Sequence, residues 1–366
     1  MQRAQYADLR TNKMSRFLTE KIVKLEPYVP GEQPKERKYI QLNTNESPFP
    51  PSPMAIKLAS EELERLMLYP DPDCVKLCGA IAEEYGVSTS NVILTNGSDE
   101  VLNFAFMAYC DAQTPALFAD ITYGFYEVFS SVNGVPCEII PLKTDFSLDV
   151  ADYMGRRGTV FIANPNAPTG KAIPLSDIEA LLMSDKNRVV VIDEAYVDFG
   201  SESAVSLIKK YDNLLVTQTF SKSRSMAGAR LGFGIASENI ISDLNRIKYS
   251  TNPYNVNRMT AAAGLGAILD KAYFENNCRQ IIDNRAFVCA KLSELGFEVV
   301  DSKTNFVFAK SDSIGGEELY LKLKSEGILV RHFSKDRIKD YVRITIGNAS
   351  ELETLVSAIE KILEKK

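Results

Sequence analysis

Asn213-Leu-Leu-Val-Thr-Gln-Thr-Phe220 runs straight into Ser221-Lys222-Ser223, and Arg230 follows eight residues after the lysine. The first eight residues form a short, mostly apolar run with the composition of a strand. The chain therefore sets a lysine at the mouth of a strand, with hydroxyls on either side and a guanidinium nearby. Those groups suit an amine that holds an aldehyde cofactor as a Schiff base beside the cofactor's phosphate. A lone Ser-Lys-Ser is also an ordinary polar turn, so the reading depends on its surroundings.

Upstream, Asn187-Arg-Val-Val-Val-Ile192 is rich in β-branched residues and short enough for a strand buried on both faces, and it ends in Asp193-Glu194-Ala195-Tyr196. An acid at the exit of a buried parallel strand stands where α/β sheets place their ligand crevice. Such a carboxylate can pair with the protonated ring nitrogen of pyridoxal phosphate, and Tyr196 can donate to the phenolate oxygen. The competing reading of Asp193 is a magnesium ligand at a nucleotide site, or a plain strand-ending residue. A nucleotide site calls for a G-x-x-x-x-G-K-[ST] run, which the sequence does not contain.

Asn91-Val-Ile-Leu-Thr-Asn96 reads as another strand, broken by Gly97-Ser98-Asp99-Glu100 ahead of the apolar Val101-Leu-Asn-Phe-Ala-Phe-Met-Ala-Tyr109. Gly97 permits a tight turn, and Ser98 is expected as the N-cap of a helix whose free N–H groups make a phosphate seat. Between these strands, Thr159-Val-Phe-Ile-Ala163 leads into Asn164-Pro-Asn-Ala-Pro-Thr-Gly170. Two prolines and a glycine in seven residues set a rigid loop at a strand end.

Taken in order, these segments resemble the fold type I pyridoxal-phosphate aminotransferases, and within them the histidinol-phosphate aminotransferases. The likeness covers nearly the whole chain from about Arg16. It includes Leu42-Asn-Thr-Asn45-Glu-Ser-Pro48, Tyr69-Pro-Asp71, Gly97-Ser-Asp-Glu100, Thr122-Tyr-Gly124, Asn164 to Gly170, Asp193-Glu-Ala-Tyr196, Thr219-Phe-Ser-Lys222 and Tyr341-Val-Arg343-Ile-Thr345. Each motif alone is weak; eight in one order are specific.

The resemblance implies that Lys222 carries the cofactor, Asp193 pairs with its pyridine nitrogen and Tyr196 meets its phenolate oxygen. Ser98, Asp99, Ser221 and Arg230 would hold the phosphate, with Tyr69 reaching in from the partner of a homodimer. Tyr123 would stack on the ring. Arg343 would bind the substrate carboxylate, and Tyr28, Asn45 and Arg331 match positions lining the substrate pocket. The implied reaction joins an amino donor, histidinol phosphate, to a 2-oxo acid, 2-oxoglutarate, in histidine biosynthesis. A threonine-phosphate decarboxylase or an aromatic aminotransferase would share the same cofactor shell. Two positions depart from the family pattern: Ala167 stands where an asparagine precedes Pro-Thr-Gly, and Ile121 where proline precedes Thr-Tyr-Gly. Either the neighbouring Asn166 supplies the missing amide, or Tyr196 carries that contact alone.

The chain's 366 residues, 45% hydrophobic, suffice for one large core and a smaller one. The expected architecture is α/β: an arm over 1–42, a large cofactor domain with a mostly parallel seven-stranded sheet over 43–270, and a smaller α+β domain over 271–366. A formal net charge of −6 argues against nucleic acid as a partner. No apolar run approaches a membrane span and the N-terminus lacks a signal-peptide core, so a cytoplasmic protein is expected. Residues 1–13 are polar and patternless, and Met14 reads as the more natural start. Lys21 to Pro34, with Pro27, Pro30 and Pro34, is too proline-rich for a regular helix. The six scattered cysteines are expected as reduced thiols, and Cys74 with Cys78 makes a poor zinc site without a second pair. His332 is the only histidine, which excludes multi-histidine metal sites and leaves it either a solvated neighbour of Arg331 or a residue at the pocket edge.

Overall fold

The computed structural model describes residues 15–28, 31–34 and 36–364; the readings of residues 1–13 and Met14 fall outside them. In chain order the strands are β1 (Ile40–Gln41), β2 (Val92–Thr95), β3 (Ala116–Ala119), β4 (Cys137–Ile140), β5 (Thr159–Ala163), β6 (Val190–Asp193) and β7 (Leu214–Thr219). They continue as β8 (Gly232–Ala236), β9 (Phe297–Val300), β10 (Phe306–Ser311), β11 (Ile328–Leu329), β12 (Arg331–His332) and β13 (Tyr341–Thr345).

Seven strands form one sheet in the order β2-β8-β7-β6-β5-β3-β4, and β8 alone runs antiparallel to its neighbours. This is the mostly parallel α/β sheet expected from the sequence. Its apolar runs lack polar alternation because helices cover both faces. Val160, Ile162, Val190, Ile192, Leu214 and Val216 face one buried cluster, while Phe161, Val191 and Leu215 face the other. Burying each such side chain contributes about 1.5–3 kcal/mol, so the central strands anchor everything at their ends.

The second sheet, β12-β13-β10-β9, is antiparallel and packs on the helices Lys271–Glu294 and Gly316–Ser325, with the helix Ala349–Glu364 against both. Ile328–Leu329 pairs in parallel with Ile40–Gln41, and the chain then crosses to pair Arg331 and His332 with β13. The end of the expected arm is thus tied to the C-terminal unit, and Leu42 lies in that unit's core. Among the described residues of the proline-rich stretch only Glu20–Val23, at its start, is helical, and Pro30 lies outside the described residues.

Candidate active site

The ends of β2, β5, β6 and β7 converge, and β8 begins beside them, so loops distant in sequence meet at one edge of the large sheet. They enclose a cavity of about 290 Å³ whose walls include Ser98, Asp99, Tyr123, Asp193, Tyr196, Ser221, Lys222 and Arg230.

Two glycines make the corner possible. Gly97, at φ +81°, caps the helix Ser98–Tyr109, so Ser98 is its first residue and not the expected N-cap. A side chain at Gly97 would also meet the Arg230 guanidinium at 2.8 Å. A Cβ on Gly232 would lie 2.2 Å from the Ser98 nitrogen. The bare backbone of β8 therefore lets the helix N-terminus approach the strand ends. Free N–H groups and the helix dipole meet Arg230 there, which makes an anion seat.

Arg230 is held at φ +54°, a left-handed conformation that is costly for a residue carrying a Cβ. Its guanidinium donates to Asp99 Oδ2 at 3.1 Å and to Ser221 Oγ at 3.3 Å, and Ser221 Oγ also accepts from Thr219 Oγ1 at 3.0 Å. Tyr123 donates to the other Asp99 oxygen at 2.7 Å. The Asp99 side chain is thus committed to arginine and phenol, and the group it offers an anion is its backbone N–H.

Asp193 ends β6 and is buried. Its Oδ2 accepts from the Tyr126 hydroxyl at 3.0 Å and its Oδ1 from the Ala195 N–H at 3.3 Å. Burial pushes its carboxyl up to about 7, against those two hydrogen bonds. Lys222 Nζ donates to the Thr44 carbonyl at 3.3 Å. Burial, with Arg343 and Arg230 adding positive charge, lowers its pKa to about 8 while Glu46 and Asp99 oppose the shift. Lys222 therefore gives up its proton more readily than an exposed lysine.

Tyr196 lies beside Lys222, and its hydroxyl accepts from Asn45 Nδ2 at 3.0 Å. Asn45 is itself in the left-handed region, at φ +57°, and is fixed by Thr345, which exchanges two 3.0 Å hydrogen bonds with it. Arg343 and Arg331 stand opposite each other on β13 and β12. One Arg343 nitrogen donates to the Asn43 carbonyl at 2.9 Å, but its buried Nε has no protein partner. Phe306 and Phe333 flank its guanidinium. Among the described residues no carboxylate forms an ion pair with either arginine. Tyr28 packs on Phe125, with ring centroids 4.4 Å apart, beside Tyr123.

Seven residues singled out in the sequence lie outside the lining of this cavity: Tyr28, Asn45, Tyr69, Asn166, Arg331, His332 and Arg343. Asn166 does not line the cavity. Its amide donates to the Ile121 carbonyl and Thr169 Oγ1, both at 2.9 Å, and its Oδ1 accepts from Thr122 at 2.7 Å, so the side chain locks the proline loop while Ala167 forms the cavity wall. Tyr69 is 78% exposed, stacked on Tyr254, and outside this cavity. His332 donates from Nε2 to the Lys339 carbonyl and stacks near Tyr320, away from the cavity lining. Sequence reasoning missed Tyr126, Thr44 and Glu46. Thr44 and Glu46 lie inside the quoted Asn-Thr-Asn-Glu motif, but nothing in their spacing marks them as wall residues.

A family model of the class I and II aminotransferases matches residues 37–359, and the chain belongs to that family. Within it, the chain is 50% identical over 353 residues to the histidinol-phosphate aminotransferase of Brachyspira hyodysenteriae, covering 96% of this chain and 100% of that one. It is 49% identical over 351 residues to the enzyme of the same name from Clostridium acetobutylicum, with the same coverage. The fold superposes with a TM-score of 0.85 on the histidinol-phosphate aminotransferase of Sinorhizobium meliloti, solved in complex with pyridoxal-5'-phosphate. That match is 23% identical and covers 97% of this chain and 99% of that one.

Proposed function

We propose that the protein is a pyridoxal-phosphate-dependent aminotransferase that interconverts histidinol phosphate and 2-oxoglutarate with imidazole acetol phosphate and glutamate. The observation that carries this is the convergence of Lys222, Asp193, Tyr196 and Arg230 on one cavity, in a chain half identical to aminotransferases of that name.

The residues present fit the cofactor. The helix N-terminus at Ser98, with Ser221 and Arg230, suits a phosphate; the Asp193 carboxylate suits a pyridine nitrogen; the Tyr196 hydroxyl suits a ring oxygen; Lys222 supplies the amine. Pyridoxal phosphate, when bound, offers an aldehyde carbon to amino groups and a ring that draws electrons from the substrate carbon. Asp193 keeps a proton at the pyridine nitrogen. Lys222 Nζ, as the free amine, moves a proton from and to the substrate carbon. Asn45 holds the Tyr196 hydroxyl in place, and Tyr123 and the aromatic wall exclude water. Arg343 and Arg331 take the substrate anions, since a guanidinium fork pairs with carboxylate or phosphate alike. Two substrates visiting one site in turn give ping-pong kinetics.

The reading includes a cytoplasmic homodimer with shared sites and three units bounded near 42 and 270. Tyr69 supports the dimer, because an exposed ring beside the exposed Leu66, Met67 and Leu68 is unlike an ordinary monomer surface. Mixing Tyr69→Phe chains with Lys222→Ala chains should raise activity above the Lys222→Ala parent by more than the residual activity of the Tyr69→Phe chains if Tyr69 serves the partner's site. All six cysteines are unpaired, and among the described residues no helix is long and apolar enough to cross a membrane.

The test is an amino-donor panel with 2-oxoglutarate and product analysis. Histidinol phosphate should give the keto product with the highest kcat/KM. Carbon dioxide from a phosphorylated amino acid would make the protein a decarboxylase, and a higher kcat/KM for phenylalanine or tyrosine would make it an aromatic aminotransferase.

A further inference from the structure

Tyr126 occupies the first turn of the helix Phe125–Asn133 and is fully buried. Its ring is wedged between Phe118, Phe161 and the edge of Tyr123, at centroid distances of 5.6, 6.0 and 5.7 Å. A phenol in an aromatic pocket must find a partner for its hydroxyl or lose the hydration it had in water. The partner is Asp193 Oδ2, at 3.0 Å. The remaining oxygen, Oδ1, has only the longer contact with the Ala195 N–H.

We propose that Tyr126 is a positioning residue for the reaction: its hydroxyl clamps Oδ2 of Asp193, fixing the carboxylate plane so that Oδ1 is the oxygen presented to the cofactor's pyridine nitrogen. The inference rests on the function proposed above. The packed ring gives the clamp its rigidity, because Tyr126 cannot turn its hydroxyl elsewhere without displacing three aromatic neighbours. The clamp also withdraws charge from the carboxylate. Without it Asp193 becomes more basic, draws the shared proton toward itself, and leaves the ring a weaker electron acceptor. The other groups acting on Asp193 do not replace it. Asp99 repels it, the Tyr123 hydroxyl donates to Asp99, and among the described residues Tyr126 is the one side chain that donates a hydrogen bond to Asp193.

Tyr126→Phe removes one oxygen and keeps the ring. In the holoenzyme, kcat should fall about 10-fold for histidinol phosphate and for glutamate alike, with KM within about twofold, because an ordinary hydrogen bond to a charged group is lost from chemistry common to both. Cofactor affinity should weaken and the visible band of the bound cofactor should shift. In an Asp193→Asn background the same change should alter neither affinity nor band. A purely structural tyrosine would lower Tm equally in both backgrounds and leave kcat, affinity and band unchanged, which would overturn the proposal. If the unmutated protein binds no cofactor, the proposed function fails and the clamp is judged on the cofactor-free protein. There the infrared carboxyl band that Asp193→Asn abolishes should titrate at higher pH in Tyr126→Phe; an unchanged midpoint overturns the clamp.

Discussion

The cavity and the arginine pair outside its lining are built differently. In the cavity, Asp193, Asp99, Arg230, Ser221 and Tyr196 each make at least one hydrogen bond to another protein side chain. Outside it, Arg343 and Arg331 stand side by side without a carboxylate partner among the described residues, and Arg343 keeps a buried nitrogen unsatisfied. Under the function proposed above, the first is a cofactor end preorganised for one permanent guest, and the second a substrate end that holds positive charge in reserve for anions that come and go. Mutations at the cofactor end should therefore act on every substrate alike, while Arg331 at the substrate end should act selectively.

The largest effect belongs to the cofactor end. Lys222→Ala should lower turnover by on the order of 10²-fold to 10⁴-fold from proton transfer alone, equally for every amino donor, as single-turnover kinetics would show. A loss that differed between donors would break the contrast. At the substrate end, Arg343→Ala should weaken both half-reactions by roughly 10-fold to 100-fold in kcat/KM, the usual cost of a hydrogen bond to a charged group. Arg331→Ala should penalise histidinol phosphate more than an unphosphorylated aromatic donor. Equal penalties would remove Arg331 from phosphate recognition.

Preorganisation without the guest has a cost that pH reveals. Burial raises Asp193 and the adjacent Glu194, each to about 7, from the ordinary values of 3.8 and 4.5. Between about pH 4.5 and 7 these native carboxyls hold protons that the unfolded chain has released, so stability contributed by the neutral forms is lost as pH rises through that window. Exposed carboxyls with lowered pKa, such as Asp145 and Asp149, act in the opposite sense but below about pH 4. Thermal unfolding of the cofactor-free protein should show Tm falling by a few degrees between pH 5 and 7.5. Asp193→Asn should remove part of that slope and leave the part due to Glu194. A Tm that climbs across the same range would contradict the assignment.

The smallest effect separates Asn166 from the cofactor. Asn166→Ala should cost about 1–3 kcal/mol of stability by leaving the Ile121 carbonyl unpaired, while cofactor affinity stays within about twofold. A large loss of affinity would return Asn166 to the cofactor shell.

The contrast also explains what the sequence made legible. Lys222, Asp193 and the Gly97-Ser98 corner stand at the ends of buried strands, where apolar runs announce themselves and the next polar residue is marked by position. Tyr126 carried no such mark, because an aromatic residue in an amphipathic helix reads as core, and its hydroxyl finds Asp193 only across 67 residues. The choice of Gly97 over Ser98 as the cap was hidden in the approach of β8, whose glycines give no strand signal of their own. The helix Ala349–Glu364 went unread although Leu352, Leu355, Val356, Ile359 and Ile362 repeat at helical spacing; there the signal was present and could have been used. That Ile328–Leu329 and Arg331–His332 join different sheets was not readable, since the first depends on pairing with Ile40–Gln41 far away in the chain.

Borohydride reduction of the protein with pyridoxal phosphate, followed by peptide mapping, tests the central claim most directly. Lys248 provides an internal control, being a buried lysine with Nζ donating to the Pro72 carbonyl at 2.5 Å outside the cavity. The expected result is a single labelled peptide carrying the cofactor on Lys222. Label on Lys248 or any other lysine, or none at all, would contradict the account.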